Sequence, residues 1–342
     1  YEKLAFNDSQ LGIISIMNNF TFPDAWFYGK FLSIIYLLID RDIYFLQLLN
    51  ILAFMISLYL AVNIKNRIYK NSTIIYPFYF IALYPIIIQY TSLTLKESFF
   101  TLFLLLTINE LIKWYRTRNL INFVCCNIFI FVGSLFYIAS LIALVILWIY
   151  FFSTFIYEYI KKNKKKLALI TFFYFFVFFT FGSIFYFYEF FLNYQIIYFD
   201  KIGNIFSFSK WQYLLSVTIE GDARYPAWII PNYNYELIYK LIIRLVYFLF
   251  SPFFWDITKF SHVVGFIDGL IYLFLFYLII INSKNIFKNK LLFLLLIIIF
   301  AEILLFAIGT GNFGTGLRHR SKFLLILVVI SCQFLPKFKF VR

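Results

Sequence analysis

Apolar stretches long enough to cross a bilayer alternate along this chain with short polar breaks. A membrane helix needs about 17–25 mostly apolar residues. By that measure the pattern predicts about nine spans, over 43–64, 74–90, 96–113, 120–139, 141–160, 167–189, 263–282, 291–308 and 322–336. The stretch 120–160 is long enough to fold back as a hairpin, with Gly133, Ser134 and Ser140 near its outer turn. Two apolar segments fit a span less well. The segment 237–254 carries Lys240 and Arg244 one turn apart and runs into Ser251-Pro252-Phe253-Phe254-Trp255-Asp256. A helix with a basic stripe that ends in Pro and Trp suits the interface plane. The segment 26–39, short and interrupted by Gly29 and Lys30, is expected to lie there too.

The breaks carry their charge unevenly. Basic clusters occur at Lys65/Arg67/Lys70, Lys113/Arg116/Arg118, 161–166, Lys284/Lys288/Lys290 and Lys337/Lys339/Arg342, and together hold more than half of the 30 lysines and arginines. Of the 16 acidic residues only Glu110 and Glu158 lie beside them. Lys and Arg accumulate in cytoplasmic loops, so the clusters define one side. The other side then holds 1–42, the long loop 190–262, the turn 89–97 and the loop 309–321. We expect a single all-α integral membrane domain over 1–342, with an outer juxtamembrane segment (1–42) and an outer loop containing an interfacial helix (190–262).

Composition agrees with this division. The chain is 63% hydrophobic, 25% aromatic and 13% charged, against about 45–50% apolar and about 25% charged in soluble domains. Its net charge of +14 is spread over loops between spans, not gathered on one face, so no nucleic-acid partner is expected. The chain opens on Tyr1, not Met, and we expect residues upstream of it. Cys125, Cys126 and Cys332 have no His or Cys at metal-ligand spacing and are expected to pack as small apolar residues.

Four outer segments could carry chemistry. The sharpest is 309–320, Gly-Thr-Gly-Asn-Phe-Gly-Thr-Gly-Leu-Arg-His-Arg. Its glycines permit tight turns and close backbone approach to a ligand. Arg318, His319 and Arg320 follow on the side where the orientation rule disfavours positive charge. Guanidinium groups bind phosphate bidentately, so we expect a phosphate or pyrophosphate clamp. The alternative is snorkelling to headgroups. In the turn 89–97, Lys96 could contact a phosphate, and Glu97 could position it or an acceptor, or simply complement the helix dipole. Asp222 and Arg224, in Glu220-Gly221-Asp222-Ala223-Arg224-Tyr225-Pro226-Ala227-Trp228, combine acid, base and aromatics in a way that suits carbohydrate. Asp8, in Asn7-Asp8-Ser9-Gln10, looks like an ordinary exposed helix N-cap. Glu302, two turns from the Gly-rich loop, is expected to pair with a basic residue of a neighbouring helix. Walker A, dinucleotide-binding, HExxH and nucleophile-elbow patterns are absent.

The layout resembles the integral-membrane glycosyltransferases of the GT-C type, including relatives of protein O-mannosyltransferases and aminoarabinose transferases. The likeness rests on the early outer Asp8, on the Leu-Tyr-Pro to Ser-Leu-Thr-Leu-Lys-Glu stretch over 83–97, and on the long outer loop. It implies transfer of a sugar from a polyprenyl-phosphate carrier to a glycan or lipid acceptor, at the outer face of a bacterial inner membrane. It also implies Asp8 as general base or metal contact, although the family often shows two acids where this chain has Asn7 and Asp8. No cofactor is expected, with the participation of a divalent metal left open by the resemblance. The rival reading is an O-antigen or capsule polymerase, which this chain resembles in its outer-loop arginines Arg224, Arg318 and Arg320. A flippase of lipid-linked sugars would need more charged residues along several spans.

A cysteine introduced at Thr315 is expected to react with a membrane-impermeant maleimide from outside intact cells. Labelling only after the cells are opened would reverse the topology.

Overall fold

The computed structural model describes residues 2–10, 12, 13, 16, 26–39, 41–69, 74–162, 208–219 and 221–336. The predicted span 167–189 lies outside them, as do Glu220 and the basic residues at 164–166 and 337–342. Among the described residues every regular element is helical. The helices are α1 (Glu2–Gln10), α2 (Trp26–Leu38), α3 (Ile43–Ile68), α4 (Tyr76–Ala82), α5 (Pro85–Thr91), α6 (Glu97–Thr117), α7 (Leu120–Phe136) and α8 (Leu141–Lys162). There follow α9 (Phe208–Val217), α10 (Glu236–Phe250), α11 (Phe260–Ile281), α12 (Ser283–Lys288), α13 (Lys290–Ile308), α14 (Phe313–Arg320) and α15 (Leu324–Ser331).

Three of these, α3, α11 and α13, are long and apolar enough to cross a membrane. Only 39% of α3's apolar window and 33% of α11's is buried inside the chain, so both turn most of that surface outward. In water such a surface would be costly, whereas lipid tails accept it. The other predicted spans differ in instructive ways. The span 74–90 is broken into α4 and α5 at Leu83-Tyr84, because Pro85 has no amide to continue the helix. The span 322–336 is a short helix, α15, between two single 3-10 turns. Each of its residues is buried, and it packs on α3, α4, α11 and α13. The hairpin forms where the pattern placed it, turning at Tyr137–Ser140. Gly133 brings α7 within contact of Phe103 on α6.

The segment expected to lie in the interface behaves differently. Instead of facing headgroups, the basic stripe of α10 points inward. Arg244 is 1% exposed and donates to Ala307 O at 3.1 Å, to Leu215 O at 3.2 Å and to the Thr218 hydroxyl. The carbonyls belong to the last turns of α13 and α9, which have no intrahelical partner. Lys240 donates to Ile230 O at 2.8 Å and pairs with Glu236 at 2.9 Å.

Arg320 makes the same kind of junction on a larger scale. Its Nε lies 2.6 Å from Asp268 Oδ2 on α11. Nη1 donates to Phe248 O, Leu249 O and Ser251 O at the end of α10, and Nη2 to Gly265 O. Tyr84, at the α4–α5 break, donates to the other Asp268 oxygen at 2.7 Å, and Tyr272 donates to Arg320 O at 2.8 Å. Gly269 is required here, since a Cβ would stand 2.3 Å from Phe250 O.

Removing one partner of a buried ion pair leaves an uncompensated charge, at a cost of about 3–5 kcal/mol. Arg320→Ala is therefore expected to lower the thermal unfolding midpoint in detergent sharply. Arg320→Lys should recover little, because an ammonium cannot serve one carboxylate and four carbonyls at once. A midpoint unchanged in Arg320→Ala would show that the junction does not hold the helices together.

Candidate anion-binding site

Three chain segments converge at the end of the bundle where α6 begins and α13 ends. Glu97 is in the first turn of α6, and its carboxylate is turned to side chains instead of the helix backbone. Tyr137 comes from the α7–α8 turn and donates to Glu97 Oε1 at 2.5 Å. Arg318, in the last turn of α14, places Nε 3.0 Å from the same oxygen. That ion pair lacks hydrogen-bond alignment, and Glu97 Oε2 accepts no hydrogen bond. Glu97 is 5% exposed while Arg318 is 34% exposed, so Arg318 reaches from a buried anchor toward open space. Its Nη1 and Nη2 donate to nothing among the described residues.

Lys322 stands behind this pair. Its Nζ is 2.9 Å from His319 Nδ1 and lies over the rings of Tyr137 (3.2 Å), Phe306 (4.0 Å) and Phe100 (5.5 Å). The attraction of an ammonium to aromatic faces is worth about 2 kcal/mol and offsets part of the desolvation cost of a Lys side chain that is 1% exposed. With Lys322 donating to Nδ1, the proton of His319 is assigned to Nε2, making the ring a neutral donor. Burial and the neighbouring Lys322, Arg318 and Lys96 cations hold His319 well below the usual histidine range. Lys96 Nζ lies 4.2 Å from the centre of the Tyr137 ring. Glu302 is fully buried on α13, and neither of its oxygens accepts a hydrogen bond. It has Lys322 as its charged neighbour, without the direct pair that the sequence suggested.

Of the residues singled out from sequence, Lys96, Glu97, Arg318 and His319 are thus brought together. Arg320 is not: its guanidinium is buried in the Asp268 junction, on the far side of α14. Asp222 and Arg224 lie on the loop beside the α14 N-terminus. Arg224 is exposed, and its backbone bridges to Asn312, with Tyr225 N donating to Gly311 O and Phe313 N to Ala223 O, both at 2.8 Å. Asp222 pairs with Lys259 at 2.8 Å on the surface, and the lysine holds its carboxyl below the ordinary aspartate value. Asp8 is not an exposed cap. It is 7% exposed within α1, which packs on α2.

The Gly-rich segment also differs from the open loop expected. Asn312 caps α14 by accepting from Gly314 N and Thr315 N, and the helix then runs through Gly314 and Gly316. The close approaches that its glycines allow are to the chain itself. A Cβ on Gly311 would lie 2.4 Å from Thr218 O, and one on Gly316 would lie 3.1 Å from Tyr225 Oη. Sequence reasoning missed Tyr137 and Lys322. Lys322 follows Arg318 by four residues, the spacing that puts two side chains on one helix face, and that signal was available. Tyr137 offered only its place in the turn.

Arg318, Lys96 and a neutral imidazole donor around one anchored carboxylate can hold an anionic oxygen cluster such as a phosphate, with Lys322 buried behind them. Among the described residues no three His, Cys, Asp or Glu converge as metal ligands. Compared with protein families, curated proteins and solved structures, the chain matches none.

The folded chain keeps His319 neutral, whereas the unfolded chain protonates it near its ordinary value of about 6.5. Stability from this position is therefore complete above that pH and falls as the pH drops below it. Unfolding midpoints in detergent between pH 7.5 and 5 should decline, and His319→Gln should flatten the decline. An equal decline in the variant would place the acid sensitivity elsewhere.

Proposed function

We propose that this chain is a multi-pass protein of the bacterial cytoplasmic membrane that transfers a sugar from a polyprenyl-phosphate-linked donor. The acceptor is a glycan or lipid at the outer face, in surface polysaccharide assembly, and the fold is completed to about nine spans. The observation that carries this reading is Arg318. Its base is anchored by Glu97, and among the described residues its terminal nitrogens have no hydrogen-bond partner beside Lys96 and His319. The GT-C resemblance supplies the reaction type.

In this scheme the acceptor hydroxyl loses its proton and its oxygen attacks the anomeric carbon. The bond from that carbon to the phosphate oxygen breaks, and its electron pair leaves with the polyprenyl phosphate. Negative charge grows on the departing phosphate, where preorganised donors are worth most. Arg318, Lys96 and the His319 Nε2–H supply them, and Glu97 with Tyr137 keeps Arg318 aimed. The sugar–phosphate bond provides the driving force, so no nucleotide site is needed. The proton goes to Asp8 on the strength of the resemblance alone, and that assignment is tested separately. Exposed Trp228, Trp255 and Phe254 near the outer loop suit sugar rings and an interfacial position.

A second reading, repeat-unit polymerisation from undecaprenyl-pyrophosphate glycans, is favoured by one feature. The bridge from Arg224 to Asn312 ties the outer loop to the helix that carries Arg318, putting one exposed and one half-buried arginine on joined segments.

Arg318→Ala is expected to reduce transfer about 100-fold or more, the usual effect of losing one charge-stabilising donor, with membrane insertion unchanged. Asp8→Asn should abolish product if the inherited base is correct, and wild-type transfer in it would reassign the base. Wild-type transfer in Arg318→Ala would remove the phosphate role altogether. Lipid-linked intermediates that accumulate in a deletion strain distinguish the readings: single sugars mark the transferase, complete repeat units the polymerase.

A further inference from the structure

The opposite end of the bundle carries a second basic feature, which owes nothing to the sugar-transfer reading. Helices α6 and α13 run in opposite directions. Glu97 and Phe306 therefore meet at one end, and Tyr115 and Lys290 stand near the other. Nineteen residues of α13 span about 28 Å at 1.5 Å per residue, close to the thickness of a hydrocarbon core. At that far end a surface pocket of about 600 Å³ is lined by Tyr115, Asn285, Lys288, Asn289 and Lys290.

We infer that this pocket binds the phosphate-bearing headgroup of an anionic phospholipid on the face of the membrane opposite the candidate site. Lys288 and Lys290 are exposed, and among the described residues neither they nor Lys284 has an ion-pair partner. Among the described residues no acid lines the pocket. The Tyr115 hydroxyl and the Asn285 amide can donate to headgroup hydroxyls or phosphate oxygens.

A lipid is favoured over free phosphate by what surrounds the pocket. The helix α12 connects α11 to α13, both long enough to cross a membrane. It buries Ile286 and exposes Phe287, which packs edge-on against Phe293 of α13 at 5.3 Å. Phe287 is 56% exposed and Phe293 41% exposed. Apolar rings open on one flank and unpaired lysines on the other match the boundary between acyl chains and headgroups. Basic pockets of this kind at helix junctions take anionic lipids.

The test uses the full purified chain in neutral detergent, titrated with phosphatidylglycerol, phosphatidylcholine or inorganic phosphate and followed by the thermal unfolding midpoint. Phosphatidylglycerol should act at concentrations at least about tenfold lower than phosphatidylcholine, and millimolar inorganic phosphate should have no effect. The double substitution Lys288→Gln with Lys290→Gln should erase the preference while leaving the lipid-free midpoint unchanged. Replacing both lysines by Arg should preserve the preference. Equal action of the two lipids, an undiminished preference in the glutamine variant, or stabilisation by inorganic phosphate alone would each overturn the assignment.

Discussion

The buried contact between Arg320 and Asp268 is the constraint on which the rest of the arrangement depends. One guanidinium closes the end of α10, joins α11 through Asp268 and Gly265, and reaches the α4–α5 break through Tyr84. It therefore fixes how α14 is rotated. Successive helical residues are about 100° apart, so a side chain two positions away faces the other way. With Arg320 turned into the bundle, Arg318 must face outward. Lys322, four positions after Arg318, continues its face through the 3-10 turn, and His319 lies between them. The sequence Arg-His-Arg looks like a single cationic clamp, yet its two arginines cannot share a ligand.

Arginines recur in this chain as partners for helix ends, Arg244 and Arg320 from the interior and Arg116 from the surface. Arg244 serves the last carbonyls of α13 and α9, Arg320 those of α10, and Arg116 the Arg67 carbonyl at the end of α3. These carbonyls have no intrahelical donor and carry the negative end of the helix dipole. Within a bundle that offers little water, a planar cation with five donors answers both needs. In this setting the carbonyls offset part of the desolvation cost of each buried guanidinium, and the guanidinium satisfies the carbonyls in return.

Charge is thus divided by function between the two ends of the bundle. At one end cations are anchored individually: Arg318 by Glu97, Lys322 by His319 and aromatic rings, Lys96 by Tyr137. At the other, Lys284, Lys288 and Lys290 have no acidic partner among the described residues. Anchored donors are preorganised for a specific oxygen geometry, whereas unpaired surface lysines answer to any nearby anionic headgroup. The same residue types therefore carry different chemistry according to what holds them.

The apolar runs and their breaks were enough to establish a helical chain with membrane-length segments and the hairpin over 120–160, and Pro85 was a visible signal for the break that the unbroken span 74–90 passed over. Hydrophobic length and proline chemistry act locally, so they are legible without contacts. The grouping of Lys96 and Glu97 with Arg318 and His319 was foreshadowed only as separate candidates on one side. Their meeting, the withdrawal of Arg320 and Arg244 into the interior, and the central place of α15 were decided by tertiary structure. The physical reason is that an arginine reads alike in sequence whether it faces a ligand or a carbonyl. Only the rotation of its helix, set by packing against neighbours distant in the chain, selects between the two.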